Sequence, residues 1–301
     1  MLSMPRLLFF LFIMIAIARP LKASDIIVEK IETVSPPGER WFHPVFDREN
    51  RLYVSTENYI GLYRLANNKT ERLSEAKGAG FRPRFLPDEV IVNPWYWRNG
   101  RRYFRVTKIN LKTLKAQTMR EGRFISPVLS AKGNIYVKSD VVLTTLNNTV
   151  SSNVGTDSLA YAQDSLIILQ AGTVIKKIKP AGEGHYIWVG MSPDKKHILF
   201  RKAGAGAFVI DWSGTVMARF PKANAPRWSP DGRYIACMED EDDGYRYTAS
   251  DIFIIDWRSG QKWNITRSDD AMEMYPSWSA DGRRLAFHTL QGEIRVAYLK
   301  K

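Results

Sequence analysis

Pro226-Arg227-Trp228-Ser229-Pro230-Asp231-Gly232-Arg233-Tyr234-Ile235-Ala236 returns further along the chain as Pro276-Ser277-Trp278-Ser279-Ala280-Asp281-Gly282-Arg283-Arg284-Leu285-Ala286. A third copy, Val189-Gly190-Met191-Ser192-Pro193-Asp194, runs into His197-Ile198-Leu199-Phe200. Each part has a physical reading. Proline is tolerated at the first residue of a strand, where its missing N–H does no harm. The aromatic or aliphatic residue two positions on is placed to face a neighbouring sheet. Asp-Gly reverses the chain, because glycine accepts positive φ at no steric cost. The apolar run behind the turn is continuous rather than alternating, as in a strand buried on both faces.

Looser copies start at Pro44, Pro83, Pro127 and Ser158. Together with the starts at 189, 226 and 276 they divide the chain into units of about 40 residues, the length of four short strands and their turns. A second element recurs within the units: Phe208–Gly214 resembles Phe253–Gly260, with weaker copies at Tyr59–Leu65 and Tyr103–Leu111. No stretch beyond the N-terminus has a convincing helical period, and no linker divides the chain. The expected fold is all-β, a single β-propeller of four-stranded blades, with seven blades preferred and six possible. The last unit reaches only a third strand, Glu293–Leu299, whereas Ile26–Val34 is a spare strand at the other end. Pairing the two hides an exposed sheet edge, so the N-terminal strand is expected to complete the last blade and close the ring.

Ahead of that strand, Arg6 precedes an apolar run of 11 residues, Leu7–Ile17, and Leu21-Lys22-Ala23 offers a small residue before Ser24. The run is shorter than the roughly 20 residues that cross a bilayer. It reads as a cleavable signal peptide over 1–23, with the propeller domain over 24–301 and no transmembrane span after cleavage. The expected location is the periplasm or the outside of the cell. Cys237 is the only cysteine, so no internal disulfide forms, and none stands at the cleavage point as a lipoprotein requires. Its apolar setting, Tyr234–Met238, suits a buried, inert thiol. The formal charge of +13 falls to +10 once Arg6, Arg19 and Lys22 leave with the signal. An exported basic protein, expected as a monomer, points to an envelope protein or an acidic glycan as partner, and not to nucleic acid.

The motif Pro-x-Trp-Ser-Pro-Asp-Gly-x-x-Ile-Ala resembles the WD-like propeller repeats of the TolB family, periplasmic proteins of the bacterial envelope. The units at 189, 226 and 276 carry the motif well, and the others follow by spacing. The resemblance implies an exported bacterial propeller that binds other molecules. This chain departs from TolB in leaving no room for an N-terminal α/β domain and in offering seven units. The repeat is also similar to the propellers of prolyl oligopeptidase-like enzymes and of oligogalacturonate lyases. The second resemblance implies a metal site of clustered histidines.

The residues themselves offer no catalytic set: there is no G-x-S-x-G elbow and no phosphate-binding glycine loop. No cofactor is expected. Of four histidines, His197 sits in a strand, while His43, His185 and His288 are candidates for one face of the ring, where three imidazoles can hold a metal. Glu239-Asp240-Glu241-Asp242-Asp243-Gly244 reads as an acidic loop that faintly echoes a calcium site. Pro94-Trp95-Tyr96-Trp97-Arg98-Asn99-Gly100-Arg101-Arg102 is expected as a loop on the face where the innermost strands begin. Trp41, His43, Arg82, Trp95, Trp97, Arg98, His185 and Arg227 then form the candidate binding surface, aromatic and basic together. Three functions fit: a non-enzymatic protein- or glycan-binding scaffold, a polysaccharide lyase or hydrolase working at the channel mouth, and a calcium-stabilised adhesion-type module.

Overall fold

A computed structural model describes residues 26–300, apart from 131, 133, 140–142, 146–156, 164 and 269–270. The signal-peptide reading over 1–23 lies outside the described residues.

The three clear repeats fold identically at the turn. Ser229 Oγ donates to Asp231 Oδ1 (2.5 Å) and accepts the Tyr234 N–H (2.8 Å), while Asp231 Oδ1 accepts the Arg233 N–H (3.0 Å). Ser279 with Asp281 and Ser192 with Asp194 repeat the arrangement. Gly232 and Gly282 both sit at φ 68°, the left-handed region the turn requires, and Lys195 takes that position at φ 62° in the third copy. The Ser-x-Asp spacing thus satisfies the backbone donors of a tight reversal, and the apolar strand follows directly.

Among the described residues the strands form seven small antiparallel sheets. The first holds Phe42–Phe46, Leu52–Ser55, Ile60–Ala66 and Lys69–Lys77. The second holds Arg84–Phe85, Glu89–Val92, Arg101–Asn110 and Ala116–Gly122, with Trp95–Arg98 paired to the start of Arg101–Asn110. The third and fourth begin with Ser126–Leu129 and Ser158–Gln163 and show three strands each. The fifth and sixth run from Tyr186–Met191 to Val216–Phe220 and from Asn224–Trp228 to Lys262–Asn264. The seventh comprises Glu273–Trp278, Arg284–Thr289 and Ile294–Lys300, and its outer strand is Ile27–Thr33, paired antiparallel to Ile294–Lys300. The N-terminal strand therefore completes the last sheet.

The core lies between sheets. In the second strand of the sixth sheet, Ile235 and Cys237 pack with Leu199 and Val209 of the fifth, while Tyr234, Ala236 and Met238 pack with Leu285 and Phe287 of the seventh. In the first sheet, Tyr53 packs with Phe85 and Val90 of the second, and Leu52 and Val54 pack with Ala286 and Ile294 of the seventh. Corresponding clusters join the second sheet to the third, the third to the fourth and the fourth to the fifth. The second strand of each sheet is buried on both faces over most of its length, which explains the unbroken apolar runs. The first sheet packs against the seventh as well as the second, and the sheets together make a β-propeller. The Phe46 N–H donates to Ser277 Oγ (3.1 Å) across that junction.

Two expectations change. Glu239 to Asp242 lie in the strand Tyr234–Asp242, paired with Tyr247–Asp256, and do not form a loop. Their carboxylates alternate in direction and find separate partners. Glu239 pairs with Lys262 (2.9 Å), Asp240 accepts from Asn224, and Glu241 meets Lys222 (3.7 Å). The Trp95 segment is likewise a strand, which extends the second sheet as a hairpin with Arg101–Asn110. No helix among the described residues is long and apolar enough to cross a membrane.

Candidate functional site

A repeated backbone device shapes the axis of the ring. In the innermost strands of the first, fifth, sixth and seventh sheets, the register slips at the start, between Phe42 and Val45, Ile187 and Gly190, Asn224 and Arg227, and Met274 and Ser277. Each slip is a bulge containing one residue at positive φ: His43 (52°), Trp188 (54°), Ala225 (45°) and Tyr275 (54°). Arg82 takes the same position ahead of the second sheet, at φ 50°. These non-glycine conformations cost on the order of 1–3 kcal/mol each and persist where the surroundings over-determine them. All but the smallest, Ala225, present their side chains to one cavity of about 280 Å³.

That cavity is lined from five sheets and includes His43, Tyr59, Arg82, Arg84, Trp188, Arg227 and Tyr275. A second cavity, of about 330 Å³, shares Phe81, Arg82, Arg84, Gly190 and Met191 with it and extends to Lys138, Tyr161 and Lys195. Neither lining contains an aspartate or a glutamate. Arg82 lines both and reaches from the second sheet to the fifth: its Nη2 donates to the Val189 carbonyl (3.0 Å). The loop bearing Tyr59 is fixed by two donors, since the Gly78 and Gly80 N–H groups both reach the Tyr59 carbonyl (3.0 and 3.2 Å). A side chain at Gly80 would strike Ser55, so glycine permits this close approach.

One wall of the first cavity is an aromatic stack. His43 lies against Tyr59 (3.7 Å between ring centres), and Tyr275 stacks on His288 (5.4 Å), with His43 edge-on to both Tyr275 and His288 at 5.3 Å. His288 Nδ1 accepts the His43 backbone N–H (3.1 Å), and His43 Nδ1 hydrogen-bonds Ser55 Oγ (3.0 Å). Burial favours neutral imidazoles, holding His43 at about 4 and, with His43 beside it, His288 at about 3. Burial and Tyr275 raise the Tyr59 phenol. The opposite wall is cationic. Burial and the neighbouring Arg84 and Arg227 guanidiniums hold Arg82 well below the usual arginine value. Burial and Arg227 bring Arg84 to about 10, and burial lowers Arg227.

Of the eight residues expected to form the site, the structure brings His43, Arg82 and Arg227 together. Trp95 and Trp97 line a separate outer hollow with Lys77, Tyr96 and Arg105. There Trp97 is 60% exposed, Arg102 stacks over both indoles at 5.2 and 5.8 Å, and Arg98 lies 3.7 Å from Glu121. Trp41 is elsewhere: it is 7% exposed, donates its indole N–H to Glu39 (2.8 Å) and packs on Tyr63 between the first and seventh sheets. His185 is exposed and lines neither axial cavity, whereas the His43 and His288 rings meet at 5.3 Å. Among the described residues no group of three or more His, Cys, Asp or Glu is placed to hold a metal. Sequence reasoning missed Tyr59, Arg84, Trp188 and Tyr275. The available signal for Trp188 and Tyr275 was the position just before each unit, which reads His43, Arg82, Ser126, Asp157, Trp188, Ala225 and Tyr275 when the seven are aligned.

Fold and cavity define a β-propeller with a ligand-sized pocket at its axis. No protein-family model matches the chain. A curated relative, dipeptidyl-peptidase 5 of Porphyromonas gingivalis, is 34% identical over 77 residues; the match spans 25% of this chain and only 11% of that protein. The propeller domain of Cps50 (Swd1) from Myceliophteria thermophila aligns with a TM-score of 0.59 at 11% identity, covering 92% of this chain and all of that one. An oligogalacturonate lyase in complex with manganese aligns at 0.56 and 14% identity, covering 92% and 98%. TolB from Acinetobacter baumannii gives 0.48 at 14% identity, covering 87% of this chain and 64% of TolB. At these identities the likeness to the Cps50 domain and to the lyase is one of fold.

Proposed function

We propose that this protein is a non-enzymatic binding propeller that holds an acidic partner, an envelope protein or an acidic glycan, at the mouth of its axial channel. The observation that carries this reading is the pair of axial cavities with aromatic walls, five basic side chains and no carboxylate in their linings. Such a surface offers stacking faces and positive charge, the chemistry that holds an acidic partner. The histidines nearest the cavity are occupied by Ser55 Oγ and a backbone N–H, and burial keeps them neutral. The separate outer hollow at Trp95 and Trp97 offers a second aromatic and basic contact. In this reading residues 1–23 export the chain, and the monomeric domain over 24–301 works in the periplasm or outside the cell.

The rival lyase reading rests on the fold shared with an oligogalacturonate lyase and on the His43–His288 contact. The place of His185, outside both cavities, weighs against it. Immobilised protein presented with matched acidic and neutral glycans, and with envelope-protein ectodomains, tests the proposal. An acidic member is expected to be retained and Trp188→Ala to lose it. Release of unsaturated sugar from an acidic glycan, or equal retention of neutral and acidic partners, would overturn it.

A further inference from the structure

Half-buried charges of one sign gathered on one cavity need a reason to be kept. Arg82 and Arg84 come from the second sheet and Arg227 from the sixth, and all three face the same cavity. Among the described residues none of them forms an ion pair with a carboxylate. Their visible partners are neutral: Arg82 donates to the Val189 carbonyl, and Arg227 Nη1 to the Pro226 carbonyl (3.2 Å). The Arg84 Nε–H is buried with no hydrogen-bond partner. A guanidinium offers five donors in a rigid planar fork that matches an oxyanion. An uncompensated charge withdrawn from water is costly even when the withdrawal is partial, so three together are a liability.

We propose that Arg84 and Arg227 form the clamp of an oxyanion site at the channel mouth, with Arg82 as a movable strut, taking a carboxylate, sulfate or phosphate group of the bound partner. This rests on the reading of the channel mouth as the ligand site and specifies which chemical group enters it. An oxyanion supplies what the cavity lacks: acceptors for the Arg84 Nε–H and for the free guanidinium donors, and a charge of opposite sign. It also competes with the Val189 carbonyl for Arg82, because a charged acceptor makes the stronger hydrogen bond. Arg82 released from Val189 is then free to turn toward the bound group, on the boundary that both cavities share. The aromatic faces of Tyr59, Trp188 and Tyr275 then stand beside the clamp to receive the part of the ligand that bears the anion.

The test is titration calorimetry at low ionic strength, with the full chain and small probes. Sulfate and inorganic phosphate represent tetrahedral oxyanions, N-acetylglycine a peptide's terminal carboxylate, and glucuronate an acidic sugar. At least one probe is expected to bind the wild type. Arg84→Gln and Arg227→Gln should each weaken it by about tenfold or more, the loss of one charge-assisted hydrogen bond. A structural role for these arginines predicts a lower melting temperature in both variants. The oxyanion site predicts an unchanged or higher one without ligand, because a buried, repelling charge has gone, together with loss of the thermal shift that the probe gives the wild type. Lower melting temperatures with undiminished probe binding, or no binding of any probe, would overturn the proposal. If acidic macromolecules are still retained in that case, the channel-mouth reading stands and only the oxyanion clamp falls.

Discussion

Acidification from pH 7.5 to 4.5 should destabilise this protein through two imidazoles at its axis. Burial holds His43 at about 4 and His288 at about 3, both below the 6.5 of a free side chain. As pH drops through about 6.5 the unfolded chain takes up two protons that the folded cavity refuses. The unfolded state then binds more protons, so stability falls as pH falls, down to the folded values. Two pH units separate 6.5 from 4.5, which sets a ceiling of about 2.7 kcal/mol per histidine. The cavity is open to solvent, and relaxation with water entry halves this to about 2–3 kcal/mol for the pair. Urea unfolding of wild type and His288→Asn at closely spaced pH values isolates the effect, because all other titrating groups cancel. Asparagine Oδ1 can accept the His43 N–H in place of Nδ1. The variant loses ring packing on Tyr275 and Phe42, a cost of about 1–3 kcal/mol that does not depend on pH. Its stability should decline less than the wild type's between pH 6.5 and 4.5, by about 1–1.5 kcal/mol. Parallel pH curves would show that His288 is not held neutral by burial, and the reasoning would fail.

Glu273 should act in the opposite sense. Burial, with Asp251 nearby, raises its carboxyl to about 7, so the folded state holds a proton that the unfolded chain releases from about 4.5 upward. Stability from this group is lost as pH rises through that window, and Glu273→Gln should unfold at higher urea than wild type at pH 8 and match it near pH 4.5. Gly206→Ala should be among the worst single changes in the fold. The position has φ 86°, and a Cβ would strike the carbonyl oxygens of Phe220 and Pro221, so a loss of about 3 kcal/mol or failure to fold is expected in the same assay. Cys237 is fully buried between the fifth and sixth sheets, and burial raises its thiol pKa. It should react with a thiol reagent only at the rate of unfolding; rapid labelling in native buffer would contradict the packing described.

The repeat alone determined that this chain makes sheets around an axis. Proline, aromatic, Ser-x-Asp and glycine are local instructions, each satisfied within a few residues, as the Ser229–Asp231–Tyr234 hydrogen bonds show. The pairing of the spare N-terminal strand with the C-terminal one was legible too, because an unpaired edge at each end has one remedy. The acidic stretch and the Trp95 segment misled because composition suggests loops, while cross-strand pairing with Tyr247–Asp256 and Arg101–Asn110 made them strands. The site was only partly readable. Arg82 and Arg227 are 145 positions apart in the chain, and Trp41 stands two residues from His43, yet the distant pair shares a cavity and the near neighbour is in the core. Neighbours in a strand point to opposite faces, and a one-residue bulge changes which side chain meets the axis. Which residues gather there is therefore decided by sheet packing and strand register, and these exist only once the sheets have stacked.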